Sequence, residues 1–469
     1  MFRAGGMMTF RFDNSYLRDL PGTYLRVDPV VAPAPRLLAL NLGLAADLGL
    51  ALTEAEAAAW FSGAEVPDGA EPAALAYAGH QFGGFSPQLG DGRAHLLGEF
   101  VGPDGRRWDL QLKGSGRTPF SRGGDGCAAV GPMLREYLIS EAMAALRVPT
   151  TRSLAVVATG EDIWRETGRL PGAVLARVAA SHIRVGTFQF FSARGEAQKL
   201  VALLEYTIMR HYPEVAGAEV PALALFDAVV ARQAKLVAQW MGLGFVHGVM
   251  NTDNMALSGE TIDYGPCAFM DAYAPGTVFS SIDSQGRYAY ANQPLIMGWN
   301  LARLAETLLP FFAVEEATAV DLANGRLEAI AGIYRREWLA VMRGKLGLLA
   351  EEAGDADLVD GLLAAMVGVD WTLTFRRMFA VPELRDWRAG WLDRVEPGFE
   401  ARMLAANPAV IPRNHRVEEA LAAATLGEMA PFEALLAAVR DPFGPEAGRE
   451  GFVLPAPQGL VPYVTFCGT

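Results

Sequence analysis

The stretch HGVMNTDNMALSGETIDYG (residues 247–265) holds the densest set of metal-capable oxygen atoms in the sequence. Asn254 supplies an amide carbonyl and Asp263 a carboxylate, and the turn-like sequence SGE (residues 258–260) lies between them. Short apolar segments on both sides of that turn predict two strands that bring the two ligands together. Because Mg²⁺ prefers a few such oxygens together with phosphate oxygens, the stretch predicts a nucleotide site.

Protein kinases provide a template for this stretch, because their metal-binding Asn lies five residues after the Asp that accepts the substrate proton. With Asn254 placed on the kinase Asn, the kinase base position falls on Val249, which cannot accept a proton. Asp253, beside Asn254, offers a carboxylate at a shifted position, and DYG (residues 263–265) stands where a kinase has DFG. Short patterns of this kind also occur in ordinary turns, so the interpretation needs support from the rest of the chain.

The bulk properties exclude several classes of protein. The chain has 469 residues, which is longer than one ordinary domain, and 51% of its residues are hydrophobic. Its formal net charge of −13 argues against a nucleic-acid partner, although a local cluster of arginines could still bind one triphosphate. We expect a cytoplasmic protein without a membrane partner, because neither a bilayer-spanning run nor a signal peptide is recognisable. The arginine candidates for phosphate binding are Arg117, Arg122, Arg177 and Arg184.

Two glycine-rich stretches lie in the first third of the chain. The first is GDGRAHLLG (residues 90–98), which runs into a predicted strand over Ala94–Phe100. The second is GSGRTPFSRGGDG (residues 114–126), which combines arginines with glycines. Glycines allow a backbone to approach a ligand closely, and their amides can face phosphate oxygens. The second stretch favours a wrap around an anion over a flexible linker, and Asp125 could accept a hydrogen bond from an adenine amine or a sugar hydroxyl.

A predicted strand over Trp108–Lys113 and a predicted helix over Met133–Leu146 surround the second glycine-rich stretch. Kinases place their phosphate-binding Lys on a strand and its Glu partner on the following helix, so Lys113 and Glu136 are the expected pair. An exposed surface pair would contribute only about 0 to 1 kcal/mol. The order of glycine loop, strand Lys and helix Glu favours a functional pair instead.

The segment AVLARVAASHIRVGTFQFF (residues 173–191) predicts a buried strand, a turn near Ser181 and the start of a helix. Arg177 and Arg184 lie in these apolar surroundings, where a guanidinium group requires a partner. A phosphate bound by both nitrogens is one such partner. A structural ion pair with an acidic side chain is the alternative.

Helices are predicted for much of the remaining chain. One follows Thr53, a plausible N-cap, and the segment from Asp263 to Tyr290 is predicted to be a long loop. The further predicted helices cover Pro35–Leu48, Lys199–His211, Pro221–Met241, Gln293–Leu309 and several segments between 314 and 440.

Taken together, the ordered motifs resemble the selenoprotein O family, also called YdiU, over nearly the whole chain. The segments that carry the resemblance are FDNSYLRDLPGTYLRV (12–27), AGHQFGGFSPQLGDGRAHLLGE (78–99), LQLKGSGRTPFSRGGDG (110–126), ASHIRVGTFQFF (180–191), HGVMNTDN (247–254), DYGPCAFMDAY (263–273) and NPAVIPRNH (407–415). The resemblance implies an α+β, protein-kinase-like bilobal fold. It implies an N-terminal extension (1–78), a kinase-like N-lobe (79–190), a kinase-like C-lobe (191–310) and a helical C-terminal region with a cysteine-containing tail (311–469).

The resemblance further implies a protein adenylyltransferase that transfers AMP from ATP to Ser, Thr or Tyr hydroxyls of proteins. ATP would lie with its terminal phosphates inward, Mg²⁺ or Mn²⁺ would be held by Asn254 and Asp263, Asp253 would act as the base, and Glu136 would orient Lys113. The implied ATP contacts are Gly90, Gly92, Arg93, Lys113, Asp125, Gly126, Arg177, Arg184 and Asp263. A kinase-type phosphotransferase and a silent nucleotide-binding scaffold, or pseudokinase, are the alternatives.

The three cysteines are too few for a disulfide framework and lack the paired spacing of a zinc site. Cys127 stands where many members of the family have Arg, so one anion contact is expected to be lost or replaced. Cys467 stands where some members carry selenocysteine or cysteine. A redox bond between Cys467 and Cys267, which follows Asp263 in the post-metal loop, is therefore an expected possibility.

A non-reducing peptide map tests this cysteine pair. Under oxidising conditions we expect a linked pair of peptides that carry Cys267 and Cys467, and dithiothreitol should separate them, since cytosolic disulfides are usually transient. A map of the oxidised protein without this link would reject the pairing.

Overall fold

The computed structural model describes residues 10–166, 168–457 and 463–465. Within them, one seven-stranded antiparallel sheet precedes a mainly helical region, which confirms that the chain combines a sheet with helical regions. The strands are β1 Tyr24–Arg26, β2 Arg36–Leu40, β3 Ala73–Leu75, β4 Gly79–Gln81, β5 Gly84–Ser86, β6 Ala94–Val101, β7 Arg107–Lys113, β8 Arg152–Arg165, β9 Gly168–Ala179, β10 Phe245–Val246 and β11 Ala268–Phe269.

The helices of the described residues lie mostly after the sheet. Of these helices, none has the combination of length and apolar character that crossing a bilayer requires. They are α1 Ser15–Asp19, α2 Leu42–Asp47, α3 Glu54–Ser62, α4 Val130–Ala145, α5 Val185–Ser192, α6 Ala197–His211, α7 Pro221–Leu243, α8 Gln293–Phe312, α9 Glu316–Lys345, α10 Asp355–Ala365, α11 Trp371–Arg376, α12 Trp387–Leu392, α13 Phe399–Ala406, α14 Asn414–Thr425, α15 Ala430–Arg440 and α16 Glu450–Val453. Short 3₁₀ turns cover Pro213–Val215, Thr252–Asn254, Tyr290–Asn292, Met378–Ala380 and Pro382–Leu384.

The seven strands lie in the order β1-β3-β6-β7-β9-β8-β2, while β4-β5 and β10-β11 form separate pairs. The predicted strands over 94–100 and 108–113 are confirmed as β6 and β7, which a turn at 102–105 connects. On β7, Leu110 and Leu112 pack with Phe61 of α3, whereas the alternate residues Gln111 and Lys113 face the other side of the sheet. The sheet therefore has an apolar face under α3 and a polar face toward the helical region.

The N-terminal segment confirms one helix prediction and corrects another. Thr53 caps α3 in a reciprocal capping box with Glu56. The helix predicted over 35–48 is wrong in its first half, because residues 36–40 form β2, which pairs with β8 at the edge of the sheet. Only α2 is helical, and the Asn41 side chain accepts from Leu44 N at 3.2 Å at its start. Pairing with a sheet edge outweighs the helical preference of these leucines.

The two strands predicted around residues 258–260 are also wrong. The turn itself exists, since Gly259 N donates to Ala256 O at 3.1 Å, but its two arms do not pair with each other. Instead Leu257 N donates to Ile183 O, and Thr261 N donates to Pro149 O, each at 2.9 Å. Each arm is too short for a ladder and is held by a different neighbouring segment.

The segment NPAVIPRNH (407–415) holds the chain that follows the DYG sequence. The Arg413 side chain is buried, and Nη1 donates to Asp271 Oδ1 at 2.6 Å and to Asp370 Oδ2 at 2.8 Å. The neighbouring Asn414 Nδ2 donates to Phe269 O at 2.9 Å, on the strand β11. Residues about 140 positions apart are thereby fixed together, and the C-terminal helices become a support for the loop after Asp263.

We expect Arg413→Gln to lower the free energy of unfolding by about 3 kcal/mol, because two partly buried carboxylates lose their shared cation. The measurement is the midpoint of urea denaturation. Arg335→Gln is the matched control, since Arg335 of α9 forms an exposed pair with Asp360 at 3.1 Å, and its loss should cost less than about 1 kcal/mol. Equal effects of the two substitutions would contradict a supporting role for Arg413.

Candidate active site

The site converges on the carboxylate of Asp263. Oδ1 accepts from Lys113 Nζ and from Arg177 Nη1, both at 2.6 Å, and Oδ2 accepts from Arg184 Nη1 at 2.8 Å. Burial alone would raise the pKa of the Asp263 carboxyl, but the charges of Arg177, Lys113 and Arg184 outweigh it and hold that pKa well below its ordinary value. Asp263 is therefore an anion that three cations share.

The backbone at Asp263 adopts a left-handed conformation, with φ +63°. For a residue other than Gly this costs about 1 kcal/mol, although Asp tolerates the region better than most residues. Gly265 N donates to Asp263 O at 2.9 Å and closes the turn. The tight turn aims the carboxylate at the sheet, and the ion pairs compensate its strain.

Two of the three cations come from the polar face of the sheet. Gln111 on β7 is the register partner of Arg177 on β9, and Lys113 lies two residues further along β7, so all three side chains share one face. Arg177 Nε and Nη2 donate to Gln111 Oε1 at 2.8 and 2.6 Å. Glu136 of α4 contacts both cations, with Lys113 Nζ at 2.5 Å and Arg177 Nη1 at 3.0 Å. One carboxylate of α4 therefore contacts both Lys113 and Arg177.

The third cation, Arg184, precedes α5 and is buried. Its Nη1 also donates to Asp253 O at 2.7 Å, and its guanidinium lies 4.6 Å from the centre of the Tyr77 ring. Its Nε has no hydrogen-bond partner among the described residues. A buried donor without a partner is costly, so this N–H remains free to donate to a further acceptor. Among the described residues, both buried arginines form ion pairs with carboxylates, as in the ion-pair alternative, and each also donates to an uncharged carbonyl oxygen.

Asp253 and Asn254 lie on the 3₁₀ turn Thr252–Asn254. The Asp253 side chain is buried, and its Oδ1 accepts no hydrogen bond from the described residues. Burial raises the pKa of Asp253 to about 6, and the charge of Arg184 partly opposes that rise. Asn254 Nδ2 donates to Val249 O at 3.1 Å, which leaves the amide oxygen as the atom that could face a cation.

A cavity of about 670 Å³ brings most of the predicted site residues together. Glu136 lies behind Lys113 instead of lining this cavity, and Arg117 is turned away, with Nε donating to Gly124 O at 2.9 Å. The predicted residues that line the cavity are Gly90, Gly92, Arg93, Lys113, Arg122, Asp125, Gly126, Arg177, Arg184, Asp253, Asn254 and Asp263.

The glycines of the two glycine-rich stretches serve mutual packing. A Cβ atom on Gly90, whose φ is +65°, would lie 2.3 Å from the Phe120 ring. A Cβ atom on Gly126, whose φ is +72°, would lie 2.1 Å from Gly116 O. The Gly90 contact packs the first stretch against the second, and the Gly126 contact closes the second stretch on itself, so a larger residue at either position would disrupt this wall of the cavity.

Asp125 already has a partner at the exposed end of this wall. Its carboxylate oxygens accept from Arg165 Nη1 at 2.8 Å and Nη2 at 3.3 Å, and Oδ1 also accepts from Cys127 N at 2.9 Å. Arg165 Nη2 donates to Cys127 O at 2.8 Å as well. Arg165 thus places a guanidinium beside Cys127, the residue that stands where many family members have Arg.

Sequence reasoning missed Arg165, Asp91 and Tyr77, which all line the cavity. Asp91 is buried, and its Oδ2 accepts from Leu75 N at 3.1 Å and Gln111 Nε2 at 3.0 Å. Burial raises the pKa of Asp91 to about 6. The sequence signal for Asp91 is its position between Gly90 and Gly92, in a predicted phosphate-binding stretch. A carboxylate repels phosphate, so this signal does not by itself predict a ligand contact.

The predicted redox pair is only half within the described residues. Cys267 is buried in the segment between Asp263 and β11. Cys467 lies outside the described residues. The pairing stays a prediction.

Comparison with known proteins places the chain among nucleotidyltransferases. The family model described as protein adenylyltransferase SelO matches residues 7–389. A protein nucleotidyltransferase YdiU of Cereibacter sphaeroides is 60% identical over an alignment of 481 positions, which covers 98% of this chain and all of the relative. Those of Rhizobium meliloti and Sphingopyxis alaskensis are 55% and 54% identical, with 99% and 98% of this chain and all of each relative covered.

The raised pKa of Asp91 generates a test of the site's electrostatics. The ordinary pKa is 3.8 and the folded pKa about 6, so between these values the folded state binds more protons and stability falls as pH rises. We expect Asp91→Asn to remove a decline of about 3 kcal/mol between pH 4 and 6, measured by urea denaturation across that range. The exposed Asp393→Asn should keep the decline. Parallel curves for wild type and Asp91→Asn would contradict this assignment.

Proposed function

This chain belongs to the protein adenylyltransferase SelO family and is a nucleotidyltransferase, and on that premise we propose that it transfers AMP from ATP to Ser, Thr or Tyr hydroxyls of proteins. Pyrophosphate is the second product. The observation that carries the proposal is the cluster of three buried cations around one carboxylate, in a cavity that Arg93 and Arg122 also line.

A polyphosphate tail is the ligand that this charge distribution suits. Lys113, Arg177 and Arg184 are buried, whereas Arg122 and Asp125 lie at the exposed side of the cavity. Fixed cations at the closed end favour a pyrophosphate that stays bound while AMP departs, and they suit a transferred γ-phosphate less well. We therefore assign the terminal phosphates of ATP to the buried end. The other proposed ATP contacts are Gly90, Gly92, Arg93, Asp125 and Gly126.

Asn254 and Asp263 would hold Mg²⁺ or Mn²⁺. Both are hard oxygen donors that line the same cavity, and Asp253 adds a nearby carboxylate, so the donor set suits such an ion. When bound, the ion supplies positive charge to the bridging and leaving oxygens. Since three cations occupy the Asp263 carboxylate, phosphates that take over those cations would free its oxygens. We therefore expect nucleotide and metal to bind together.

In the transfer step, the acceptor hydroxyl oxygen forms a bond to the α-phosphorus of ATP while the bond from that phosphorus to the α,β-bridging oxygen breaks. The electron pair of the broken bond leaves with pyrophosphate, which Lys113, Arg177 and Arg184 hold. The hydroxyl proton passes to the carboxylate of Asp253, whose Oδ1 lacks a hydrogen-bond partner among the described residues. Glu136 keeps Lys113 in position.

The kinase-like architecture is part of the proposal. The ion pair between a sheet Lys and a helix Glu, followed by the catalytic loop and the DYG turn, supports it. We propose the division into an extension (1–78), an N-lobe (79–190), a C-lobe (191–310) and a helical C-terminal region (311–469). The cytoplasm, where ATP and protein acceptors are both available, is the proposed location.

ATP labelled at either the α- or the γ-phosphate tests the reaction. We expect protein to retain only the α-label and pyrophosphate to be released. Retention of only the γ-label would show a kinase, and no retention from either position would show a silent scaffold, so each of these outcomes would contradict the proposal.

In the same assay, Asp263→Ala should abolish transfer, because it removes both the metal ligand and the shared anion. Lys113→Ala should lower transfer strongly, because it removes one of the three cations that hold pyrophosphate. Far-UV circular dichroism checks that both variants are folded. Arg117→Ala is the matched control, since Arg117 does not line the cavity, and it should keep full activity. Full activity of a folded Asp263→Ala protein would contradict the metal assignment.

A further inference from the structure

We propose that the β4–β5 hairpin and the start of α8 form the docking surface for the acceptor protein. The partner is an extended segment that carries an apolar and an acidic side chain close to the accepting hydroxyl. This inference rests on the proposed protein adenylyltransferase function. We call the surface the hairpin platform and define it by Phe82, Phe85, Ile282, Arg287, Leu295 and Trp299.

The hairpin is fixed to the catalytic loop. His80 N donates to Thr252 Oγ1 at 2.7 Å, and Phe82 N donates to Asn251 Oδ1 at 3.2 Å. A Cβ atom on Gly79 would lie 2.5 Å from Asp253 Oδ1, so the start of β4 is packed directly against the proposed base. Anything bound to the outer side of the hairpin is therefore held at a defined distance from Asp253.

The platform exposes more apolar side chain than isolated surface residues would explain. Phe82 and Ile282 line the cavity and are also exposed, and Phe85 and Leu295 continue outward with 43% and 72% of their surface exposed. Ring contacts connect the surface, since His80 lies 4.9 Å from Phe85 and 5.1 Å from Trp299 between ring centres. Contiguous exposed apolar surface beside a site marks an interaction surface.

Charge distinguishes the partner. The Arg287 guanidinium lies 4.8 Å over the Trp299 ring and beside Gly83 at the hairpin tip. Arg194 donates to Pro87 O at 2.9 Å at the other end of the hairpin. Among the described residues, Arg194 donates to the backbone carbonyls of Pro87 and Phe190 and Arg287 lies against aromatic rings, and neither forms an ion pair with a carboxylate. In a chain of net charge −13, two unpaired cations beside an apolar surface favour a segment with acidic side chains.

The chemistry of the reaction selects a polypeptide as the occupant. The accepting hydroxyl must reach the α-phosphate from outside the cavity, and the hairpin platform extends from the cavity past Asp253 to the surface. Gly83 and Gly84 lack side chains beside the exposed Phe82, which leaves the backbone on that side of the hairpin open to a peptide backbone. A second copy of this chain is the competing occupant.

A charge exchange tests the proposal. The probes are three dodecapeptides that each carry one central Ser and no other hydroxyl. They differ in the apolar and the charged residue beside that Ser, which are Leu and Asp in the first peptide, Leu and Lys in the second, and Ala and Asp in the third. Transfer of the α-label from ATP gives kcat/KM for each. We expect the wild type to prefer Leu with Asp over Leu with Lys by about tenfold, and Arg287→Glu to reverse that order. Phe85→Ser and Leu295→Ser should each lower kcat/KM for the Leu peptides severalfold and leave it nearly unchanged for the Ala peptide.

The controls separate docking from catalysis. Hydrolysis of ATP to AMP and pyrophosphate without peptide, in which water accepts the AMP group, should proceed at the wild-type rate in the Arg287, Phe85 and Leu295 variants. The control substitutions Arg336→Glu and Leu426→Ser change exposed residues outside the platform, and they should leave the peptide preference unchanged.

Four results would overturn the proposal. If the wild type transfers the label without an acidic preference, or Arg287→Glu keeps the wild-type order, the platform is rejected and the adenylyltransferase stands. If Phe85→Ser changes the sedimentation coefficient of the protein, the surface joins two copies instead. If the wild type labels no peptide or protein and releases no pyrophosphate, the proposed function fails and the platform fails with it.

Discussion

The ion pairs of one carboxylate with three buried cations are the interaction on which this structure depends. Asp263 contacts Lys113, Arg177 and Arg184, and Glu136 contacts two of them. Burying a charge costs several kcal/mol unless partners compensate it, so these side chains are stable only together. Asp91 and Asp253 line the same cavity, so the three cations face several carboxyl groups there. An anionic ligand could replace the Asp263 carboxylate as the partner of these cations.

The fold exists to bring these charges together from distant parts of the chain. The antiparallel pairing of β7 with β9 places Lys113 beside Arg177, and α4 supplies the carboxylate behind them. The turn that carries Asp263 is held on one side by these ion pairs. On the other side, Arg413 and Asn414 fix the strand that follows it. The C-terminal helices therefore contribute to the site without lining it.

The two ends of the cavity have different properties, and the proposed reaction uses both. The closed end is rigid and charged, as a leaving group that must be held requires. The open end has exposed aromatic side chains on a hairpin packed against Asp253, and Arg194 and Arg287 lie beside that hairpin. Asp91 and Asp253 both line the cavity and have pKa values near 6 because burial disfavours their charge. A carboxyl in that range can accept a proton at neutral pH and give it up afterwards.

The sequence alone predicted site residues of which most line the cavity, because glycine-rich loops, a strand Lys with a helix Glu, and buried arginines depend on local pattern and on elementary charge requirements. It also determined most helices after residue 197, whose periodicity is regular. The tertiary structure decided what depends on contacts between distant segments. Residues 36–40 became a strand because an edge of the sheet was available, and the arms around Gly259 paired with other segments. Asp91 and Arg165 entered the site because the fold places them there. Such contacts leave no local signal, since the free energy that selects them comes from burial and pairing across the chain.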